Sequence, residues 1–219
     1  LSSFEKIIIT DIDNTLIGDT QELNKFLDWY KKNNKEFGFG VATGRNIESA
    51  LDILKKNKVP MPDILVTSVG TEINYQFANT LFPDKRWPSI LKEKWNFLKI
   101  KELLTEFEFL TLQEDLREFK ISYFVENCTK DKISLISSEL KQNNVKYKLI
   151  LTENKLLDIL PHKASKYKAI LHLINKWKLS EKKILVCGDA GNDREMLREM
   201  QNAVVVANHQ KELRSLKSA

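Results

Sequence analysis

The sequence predicts an α/β protein whose core is a doubly wound parallel sheet, with an α+β domain inserted into it. Two observations predict this architecture. Short apolar strands alternate with amphipathic helices in the first and last parts of the 219-residue chain, whereas the middle part lacks that alternation. Pro83 and Pro161 stand where the pattern changes. We therefore expect a core domain made of residues 1–82 and 162–219 and an inserted domain made of residues 83–161.

The first part of the chain reads as three strands separated by two helices. Residues 7–9 are an unbroken run of isoleucine, which is typical of a strand buried on both faces of a parallel sheet. Further strands are predicted over residues 36–42 and 64–66, which are mostly apolar. Apolar residues at helical spacing predict helices over residues 21–33 and 46–57. This strand–helix–strand order is the signature of a parallel sheet.

The elements predicted for the middle part follow no such rhythm. After a turn into a hairpin over 69–74, which still belongs to the first part, they are one long amphipathic helix over 89–107, a strand over 119–125, a helix over 131–143, and strands over 145–151 and 156–160. The long helix is expected to turn inward Leu91, Trp95, Leu98, Leu103 and Leu104. Trp95 is expected in the core rather than as a stacking platform. Strands and helices in this order favour an α+β insertion.

The alternation of strands and helices returns after Pro161. The predicted elements are a helix over 165–178, a strand over 184–187, a helix through Met196 and Leu197, and a strand over 203–206. Residues 211–219 are mainly polar, and we expect them to fray.

Composition and charge narrow the class of protein. The formal net charge is +5, but the lysines lie in short dispersed clusters, which argues against a nucleic-acid partner and suits a small anion. No apolar run approaches the roughly 18 residues of a membrane span. Cys128 and Cys187 form no Cys-x-x-Cys motif, so a reducing, cytoplasmic location is expected. The first residue is Leu1, which suggests a fragment.

Polar residues follow three of the predicted strands, and a lysine lies near the start of a helix of the same sheet. In chain order they are Asp11, Asp13, Thr43, Lys166, Asp189, Asn192 and Asp193. Because the carboxyl ends of parallel strands lie along one edge, these residues are expected to meet. Grouped carboxylates suit Mg²⁺, whereas a lysine and a threonine suit phosphate oxygens. An Asp-x-Asp pair alone is also compatible with a strand that ends in an Asx turn.

Four motifs of this set make the prediction specific. DIDNT (11–15), Thr43, Lys166 and GDAGND (188–193) resemble the motifs of the haloacid dehalogenase (HAD) superfamily of aspartyl-phosphate phosphatases. Within it, the chain is similar to the sucrose-phosphate phosphatase family and to the phosphatase-like domain of some sucrose-phosphate synthases. The segments that carry this narrower resemblance are DIDNTLIGD (11–19), ATGR (42–45), SVGTEI (68–73), KISY (120–123), DILP (158–161) and LVCGDAGND (185–193).

The resemblance implies a role for each site residue. Asp11 is implied to be the nucleophile, Asp13 the general acid and base, and Lys166 a further catalytic residue. The implied phosphate-binding residues are Thr43, Gly44, Lys166 and Asn192. The implied Mg²⁺ site comprises Asp11, Asp13, Asp189, Asn192 and Asp193. In this scheme Asp13 contributes its backbone carbonyl, while Asn192 and Asp193 order the water molecules of the metal.

The inserted domain is implied to be a mobile cap that selects the substrate. Sugar hydroxyls need polar partners, and the candidates are Arg45, Glu72, Lys120, Ser122 and Asp158. For Lys120 and Ser122, the solvent-exposed face of a strand is an equally good interpretation. Two departures from the family pattern stand out: Tyr167 and Lys168 replace the usual glycine after the motif lysine, and the chain stops before a final aromatic-rich helix.

The expected function is a Mg²⁺-dependent phosphatase that hydrolyses sucrose 6-phosphate or a related disaccharide phosphate through an aspartyl-phosphate intermediate. One alternative is a non-catalytic or regulatory phosphatase-like domain of a sucrose-phosphate synthase. The other is a HAD phosphatase for another sugar phosphate, such as trehalose 6-phosphate or mannosyl-3-phosphoglycerate. The expected partner is a small sugar phosphate, without nucleic acid or membrane, for a chain that is either a monomer or part of a larger synthase polypeptide.

Overall fold

A computed structural model of the protein describes residues 1–78 and 80–216. Within these residues the chain forms eleven β-strands and seven α-helices. In chain order they are β1 (Lys6–Thr10), α1 (Thr20–Asn33), β2 (Phe37–Ala42), α2 (Ile47–Lys56), β3 (Ile64–Thr67), β4 (Glu72–Phe77), β5 (Thr80–Pro83), α3 (Trp87–Leu91), α4 (Phe97–Leu104), β6 (Leu110–Leu112), β7 (Ile121–Val125), α5 (Lys130–Gln142), β8 (Tyr147–Thr152), β9 (Leu156–Pro161), α6 (Lys166–Trp177), β10 (Ile184–Gly188), α7 (Arg194–Glu199) and β11 (Ala203–Val205).

The chain divides into two compact units. The first unit comprises Leu1–Asp84 and Ser165–Ala219, and the second comprises Lys85–Ala164. Residues 217–219, which the expected core domain includes, lie outside the described residues.

The first unit contains a seven-stranded sheet in the order β11-β10-β1-β2-β3-β4-β5. Neighbouring strands from β11 to β3 are parallel, and β4 and β5 form an antiparallel hairpin at one edge. From β1 the chain adds β2 and then β3 in one direction along the sheet. It later returns to add β10 on the opposite side of β1. The carboxyl end of β1 therefore lies between those of β2 and β10, where doubly wound sheets bind ligands. This topology confirms the doubly wound core.

Buried apolar residues join the sheet of the first unit to the helices on one of its faces. This cluster contains Ile12, Leu16, Leu23, Phe39, Val41, Ala50, Leu54, Val59 and Leu65. Each helix of this face starts at a polar cap. The Asp19 carboxylate accepts hydrogen bonds from the amides of Gln21 and Glu22, and the Asn46 side chain accepts one from the amide of Ser49. Such caps satisfy amides that the first helical turn leaves without partners.

The second unit has an α+β architecture of its own. Its antiparallel sheet has the order β6-β7-β9-β8. Helices α4 and α5 contribute to the same apolar core, whose buried members are Ile100, Leu104, Ile121, Tyr123, Val125, Ile136, Leu140, Val145, Leu157 and Ile159. The expected α+β insertion is therefore confirmed.

The prediction of one long helix over residues 89–107 is wrong. The structure has two short helices, α3 and α4, separated by residues 92–96. Lys94 has a left-handed φ of 55°, and the Asn96 side chain caps α4 by accepting a hydrogen bond from the amide of Lys99 (3.0 Å). Leu98, expected to face inward, is 75% exposed, whereas Leu104 is buried. Trp95 packs against the core while half-buried, and its indole nitrogen donates a hydrogen bond to the carbonyl of Glu118.

Two short segments also differ from the sequence prediction. Strand β6 was not predicted, because its three residues are too few to reveal the alternation of apolar and polar residues that is typical of a strand. The expectation of fraying is wrong for Lys211–Leu213, which form a 3₁₀ turn with Leu213 buried. Glu212 accepts a hydrogen bond from the amide of Gly191 (2.9 Å), so a tertiary contact orders this turn.

Asp84, the last residue of the first unit, is a buried anion with several donors. Its carboxylate accepts hydrogen bonds from the hydroxyl of Tyr75 and the ammonium of Lys176 (2.7 Å), and it contacts Nε2 of His172 at 3.1 Å. Burial and this carboxylate raise the pKa of Tyr75. Strand β4 and helix α6 are thus both fixed to the point at which the chain leaves the first unit.

No helix in the described part of the chain combines the length and the apolar character needed to cross a membrane.

Two leucine substitutions in α4 test the break between α3 and α4. Leu104→Ala should lower the free energy of unfolding by about 2–5 kcal/mol, because it leaves a cavity in the core of the second unit. Leu98→Ala should change it by less than about 0.5 kcal/mol, because the side chain is mostly exposed. Urea denaturation followed by circular dichroism measures both values. Similar losses for the two variants would contradict the orientation of α4 described here.

Candidate active site

Asp11 lies at the carboxyl edge of the central strand. Its amide donates a hydrogen bond to the carbonyl of Cys187 (2.9 Å), so the pairing of β1 with β10 extends one residue beyond β1. The Asp11 residue is only 5% exposed. A buried carboxylate needs strong partners to stay ionised.

Lys166 is the principal partner of Asp11. It is the first residue of α6, whose cap is Ser165, and it is fully buried. Its ammonium donates hydrogen bonds to Oδ1 of Asp11 and Oδ1 of Asp193, each at 2.6 Å. Despite Tyr167 and the Lys168 that follows it, the helix start is regular, since Ser165 Oγ accepts a hydrogen bond from the amide of Lys168 (3.0 Å). The helix therefore delivers one positive charge into a carboxylate cluster.

Asp193 links Lys166 to the loop after β10. Its Oδ2 accepts hydrogen bonds from the amides of Asp189 and Ala190, both at 3.1 Å. A Cβ on Gly188 would lie 2.6 Å from the Asp193 side chain, so only glycine fits at the end of β10. Both oxygens of Asp193 thus have protein partners. This arrangement favours a positioning role for Asp193 over direct metal ligation.

Three carboxylates form a group that fits a divalent cation. One oxygen from each of Asp11, Asp189 and Asp193 lies within 4.8 Å of the others, and all three residues are buried. The neighbouring Oδ1 of Asn192 is buried without a hydrogen-bond partner. An all-oxygen set of carboxylates and an amide suits Mg²⁺. The residues that best fit such a set of metal ligands are Asp11, Asp189 and Asn192.

Burial and neighbouring carboxylates both raise the pKa values of two aspartates in this cluster. Burial raises the pKa of Asp11 to about 7, an effect that Lys166 opposes and Asp193 reinforces. Burial and Asp193 likewise raise the pKa of Asp189. Burial opposes the charge on Lys166, but Asp11 and Asp193 outweigh it and raise the Lys166 pKa. An additional cation at this place would therefore stabilise the ionised carboxylates.

Asp13 lies outside this carboxylate group and forms a bidentate ion pair with Arg45. Nε of Arg45 donates to Oδ2 at 2.8 Å, and Nη2 donates to Oδ1 at 2.7 Å. The Asp13 side chain is 49% exposed, so it remains open to solvent. Arg45 Nη1 also donates to Oγ of Ser49 (2.7 Å), and the hydrogen bond to Asp13 raises the Arg45 pKa. Ser49 was not predicted as a site residue. It lies four residues after Arg45, in the first turn of α2.

Thr43 and Gly44 follow β2 at the same edge of the sheet. Thr43 is fully buried, and its hydroxyl accepts a hydrogen bond from the amide of Arg45 (3.2 Å). A Cβ on Gly44 would lie 3.3 Å from Nδ2 of Asn192, so these two residues are neighbours. Thr15 donates to Oδ1 of Asp189 (3.2 Å) and joins the loop after β1 to the loop after β10. The three loops therefore converge, as the parallel topology requires.

Glu72 and the three site residues expected in the second unit each have a polar partner within their own unit. Glu72, in β4, accepts a hydrogen bond from Oγ1 of Thr67 (2.9 Å). In the second unit, Ser122 Oγ donates to Oδ1 of Asp158 (2.6 Å), and Nζ of Lys120 lies 3.9 Å from the same oxygen. Lys120 and Ser122 are 7% and 2% exposed, so their interpretation as the solvent-exposed face of a strand is wrong. The contacts of both side chains with Asp158 offset the energetic cost of burying these polar groups.

The chain is similar in sequence to sucrose-phosphatases and to a related bacterial phosphatase. The family model described as sucrose-6F-phosphate phosphohydrolase matches residues 4–219. Sucrose-phosphatase 1 of Nicotiana tabacum is 33% identical over 231 residues, which cover 100% of this chain and 54% of that protein. Mannosylfructose-phosphate phosphatase of Agrobacterium fabrum is 26% identical, with 96% and 86% covered. The chain spans about half the length of the tobacco protein and of the other plant relatives it matches.

Solved structures agree with the fold. Sucrose-phosphatase from Synechocystis, solved with sucrose and phosphate, superposes with a TM-score of 0.89 at 29% identity, covering 97% of this chain and 87% of that one. A haloacid dehalogenase-like hydrolase from Bacillus subtilis superposes with a TM-score of 0.70 at 23% identity, covering 100% and 87%, and this likeness concerns the fold alone. Its fold is thus shared with haloacid dehalogenase-like hydrolases, and from its sequence match the chain belongs to the sucrose-6F-phosphate phosphohydrolase family.

Proposed function

We propose that the protein is a Mg²⁺-dependent phosphatase that hydrolyses a sugar phosphate through a phosphorylated Asp11. The observation that carries this proposal is the hydrogen bonding of one buried ammonium, Lys166, to both Asp11 and Asp193 beside a further carboxylate, Asp189. A nucleophilic carboxylate, a cation for the phosphoryl oxygens and a set of metal ligands are the parts that phosphoryl transfer requires.

In the first proposed step, a carboxylate oxygen of Asp11 attacks phosphorus and the bond from phosphorus to the sugar oxygen breaks. A carboxylate needs no base for this attack, but it is repelled by a phosphate dianion. Lys166 and Thr43 hold the phosphoryl oxygens and reduce that repulsion. Mg²⁺, held by Asp11, Asp189 and Asn192, supplies further neutralisation of phosphoryl charge when bound. Asp13 enters this step as a carboxylic acid, gives its proton to the departing sugar oxygen and becomes a carboxylate.

In the second proposed step, Asp13 removes a proton from a water molecule, whose oxygen attacks phosphorus of the aspartyl phosphate. The bond from phosphorus to Asp11 breaks, inorganic phosphate leaves, and the carboxylate of Asp11 is restored. One observation supports this role of Asp13: its side chain is half exposed and so reaches water and a departing sugar. Both of its oxygens accept hydrogen bonds from Arg45, which has no acceptor, so this ion pair must open when Asp13 carries the proton.

The proposed substrate is sucrose 6-phosphate or a related disaccharide phosphate. The family match and the sucrose-phosphatases among the relatives support this choice. In the second unit, the buried Lys120 and Ser122 and the partly buried Asp158 offer a charged and polar set for sugar hydroxyls. In the first unit, Arg45 and Glu72 are proposed as further sugar contacts.

Within the disaccharide phosphates, one other than sucrose 6-phosphate is the second candidate substrate. The observation that favours it is the match to mannosylfructose-phosphate phosphatase, of which this chain covers 86%. The plant sucrose-phosphatases are matched over about half of their length, although their identity to this chain is higher. A small-molecule partner is common to both candidates. The cytoplasmic location stays a prediction, and Cys128 and Cys187 are free thiols.

Substitution of the proposed nucleophile tests the reaction. Asp11→Asn should lower phosphate release from sucrose 6-phosphate by at least about 10³-fold, because an amide oxygen is a poor nucleophile. The measurement is colorimetric phosphate release with Mg²⁺ from sucrose 6-phosphate, mannosylfructose phosphate and glucose 6-phosphate. Asp28→Asn, the same change at an exposed position of α1, is the matched control and should retain full activity. If the wild-type protein releases phosphate from none of these sugars, the proposed function is wrong.

The metal requirement can be tested at Asp189. Asp189→Asn should raise the Mg²⁺ concentration for half-maximal activity by at least about tenfold, since it removes one proposed ligand charge. Without metal, the variant should melt at the same temperature as the wild type or higher, because the crowded carboxylates repel one another less. Differential scanning fluorimetry and Mg²⁺ titration of activity give the two values. Asp52→Asn, at an exposed position of α2, is the control, and an unchanged Mg²⁺ requirement in Asp189→Asn would exclude Asp189 as a ligand.

A further inference from the structure

We propose that the 3₁₀ turn Ser68–Gly70 is a positioning element that holds the two proposed phosphate-binding segments, Thr43–Arg45 and Ser165–Lys166, at a fixed separation. The turn directly follows β3 and belongs to neither segment. This inference rests on the proposed function in one respect only, namely that both segments bind the same phosphoryl group.

The backbone of the turn is hydrogen-bonded to the first segment. The amide of Ser68 donates to the carbonyl of Arg45 at 2.7 Å, and the amide of Val69 donates to the carbonyl of Thr43 at 3.0 Å. The Val69 side chain is 1% exposed, and its Cγ2 lies 3.9 Å from the place that a Cβ on Gly44 would occupy. Val69 therefore contacts the loop that carries Thr43 through both its backbone and its side chain.

The other end of the turn lies against the start of α6. A Cβ on Gly70 would lie 2.2 Å from the carbonyl carbon of Ser165 and 2.6 Å from the nitrogen of Lys166. These are backbone atoms, so no side-chain rotation could relieve the contact. Gly70 also has a φ of 88°, which glycine adopts without steric cost. The position of Lys166 is thus set against the same turn that supports Thr43.

The turn holds an unfavourable conformation. Ser68 and Val69 have left-handed φ values of 50° and 59°, and for a β-branched residue such as Val69 this is a marked outlier. Oγ of Ser68 is buried and has no hydrogen-bond partner. Thr71 closes the turn, since its hydroxyl and its amide both donate to the carbonyl of Ser68 (2.9 and 3.2 Å). Strain of this kind persists where surrounding contacts impose it, and it is concentrated at functional sites.

Two variants disturb the turn from opposite sides. Gly70→Ala introduces a Cβ that forces the start of α6 away from the turn. Val69→Ala introduces no clash and removes the methyl groups that support Gly44. Since a displacement of about 1 Å at a catalytic group costs about 100-fold, Gly70→Ala should lower kcat/KM for sucrose 6-phosphate to that extent. Both variants should weaken the binding of inorganic phosphate in the presence of Mg²⁺ by at least about tenfold.

Matched controls separate positioning from general destabilisation. Gly38→Ala places a Cβ 2.6 Å from the ring of Phe4, and Gly38 lies near the start of β2, at the opposite end of the strand from Thr43. Val59→Ala is the control for Val69→Ala, because it makes the same substitution at another buried valine, which precedes β3. Both controls should lower the melting temperature while their affinity for inorganic phosphate stays within about twofold of the wild type.

Isothermal titration calorimetry with inorganic phosphate and Mg²⁺ provides the decisive measurement, after circular dichroism has established which variants are folded. If Gly70→Ala does not fold, the phosphate affinity of Val69→Ala alone decides whether the inference holds. Wild-type phosphate affinity in either folded turn variant would overturn the inference, as would an equal loss of affinity in its control. A wild-type protein that binds phosphate but hydrolyses no sugar phosphate would refute the proposed hydrolysis, and the affinities would still decide the role of the turn.

Discussion

The site depends on one interaction, the buried ammonium of Lys166 between the carboxylates of Asp11 and Asp193. The three residues come from the start of α6, the end of β1 and the turn after β10, and they are 155 and 27 positions apart in sequence. Removal of one partner from such a buried pair typically costs about 3–5 kcal/mol, because the remaining charge is left without compensation. The ion pairs therefore hold three segments of the chain together at the place where a phosphoryl group is proposed to bind. Thr15 and the two amides that bind Asp193 extend the same network.

The topology of the first unit explains why these loops can meet. β1 is flanked by β2 and β10 in parallel register, so the residues that follow the three strands emerge at one edge of the sheet. This part of the architecture could be predicted from the sequence. A run of isoleucines ending in two aspartates indicates a central buried strand and a polar edge, and strand–helix alternation fixes the direction of the neighbours. Lys166 is found by the same reasoning, since it opens the helix that precedes β10.

Other features could not be predicted because they arise from tertiary contacts or from single residues. The apolar spacing in the sequence is compatible with one helix across the break between α3 and α4, which depends on the left-handed Lys94 and the cap at Asn96. The buried Asp84 acquires its donors from β4 and α6, which are distant in sequence. The strained turn at Ser68–Gly70 has no signature except the glycine, since serine and valine give no indication of a left-handed backbone. Ser49 supports Arg45 only because the side chain of Arg45 crosses the start of α2.

Electrostatics connects the stability of the site to its proposed chemistry. Two carboxylates whose oxygens lie within 4.8 Å repel each other by roughly 3–4 kcal/mol at an effective dielectric constant near 20, and one ammonium cannot cancel three such charges. Burial is the main reason that the pKa values of Asp11 and Asp189 are raised, and repulsion from Asp193 adds to it. A site built for stability alone would replace one carboxylate with an apolar residue. A site that must hold Mg²⁺ and an anionic phosphoryl group needs the surplus negative charge for the metal and the buried lysine for the phosphate. The unfavourable charge of this cluster is therefore best explained by the cation and the phosphate that it is proposed to bind.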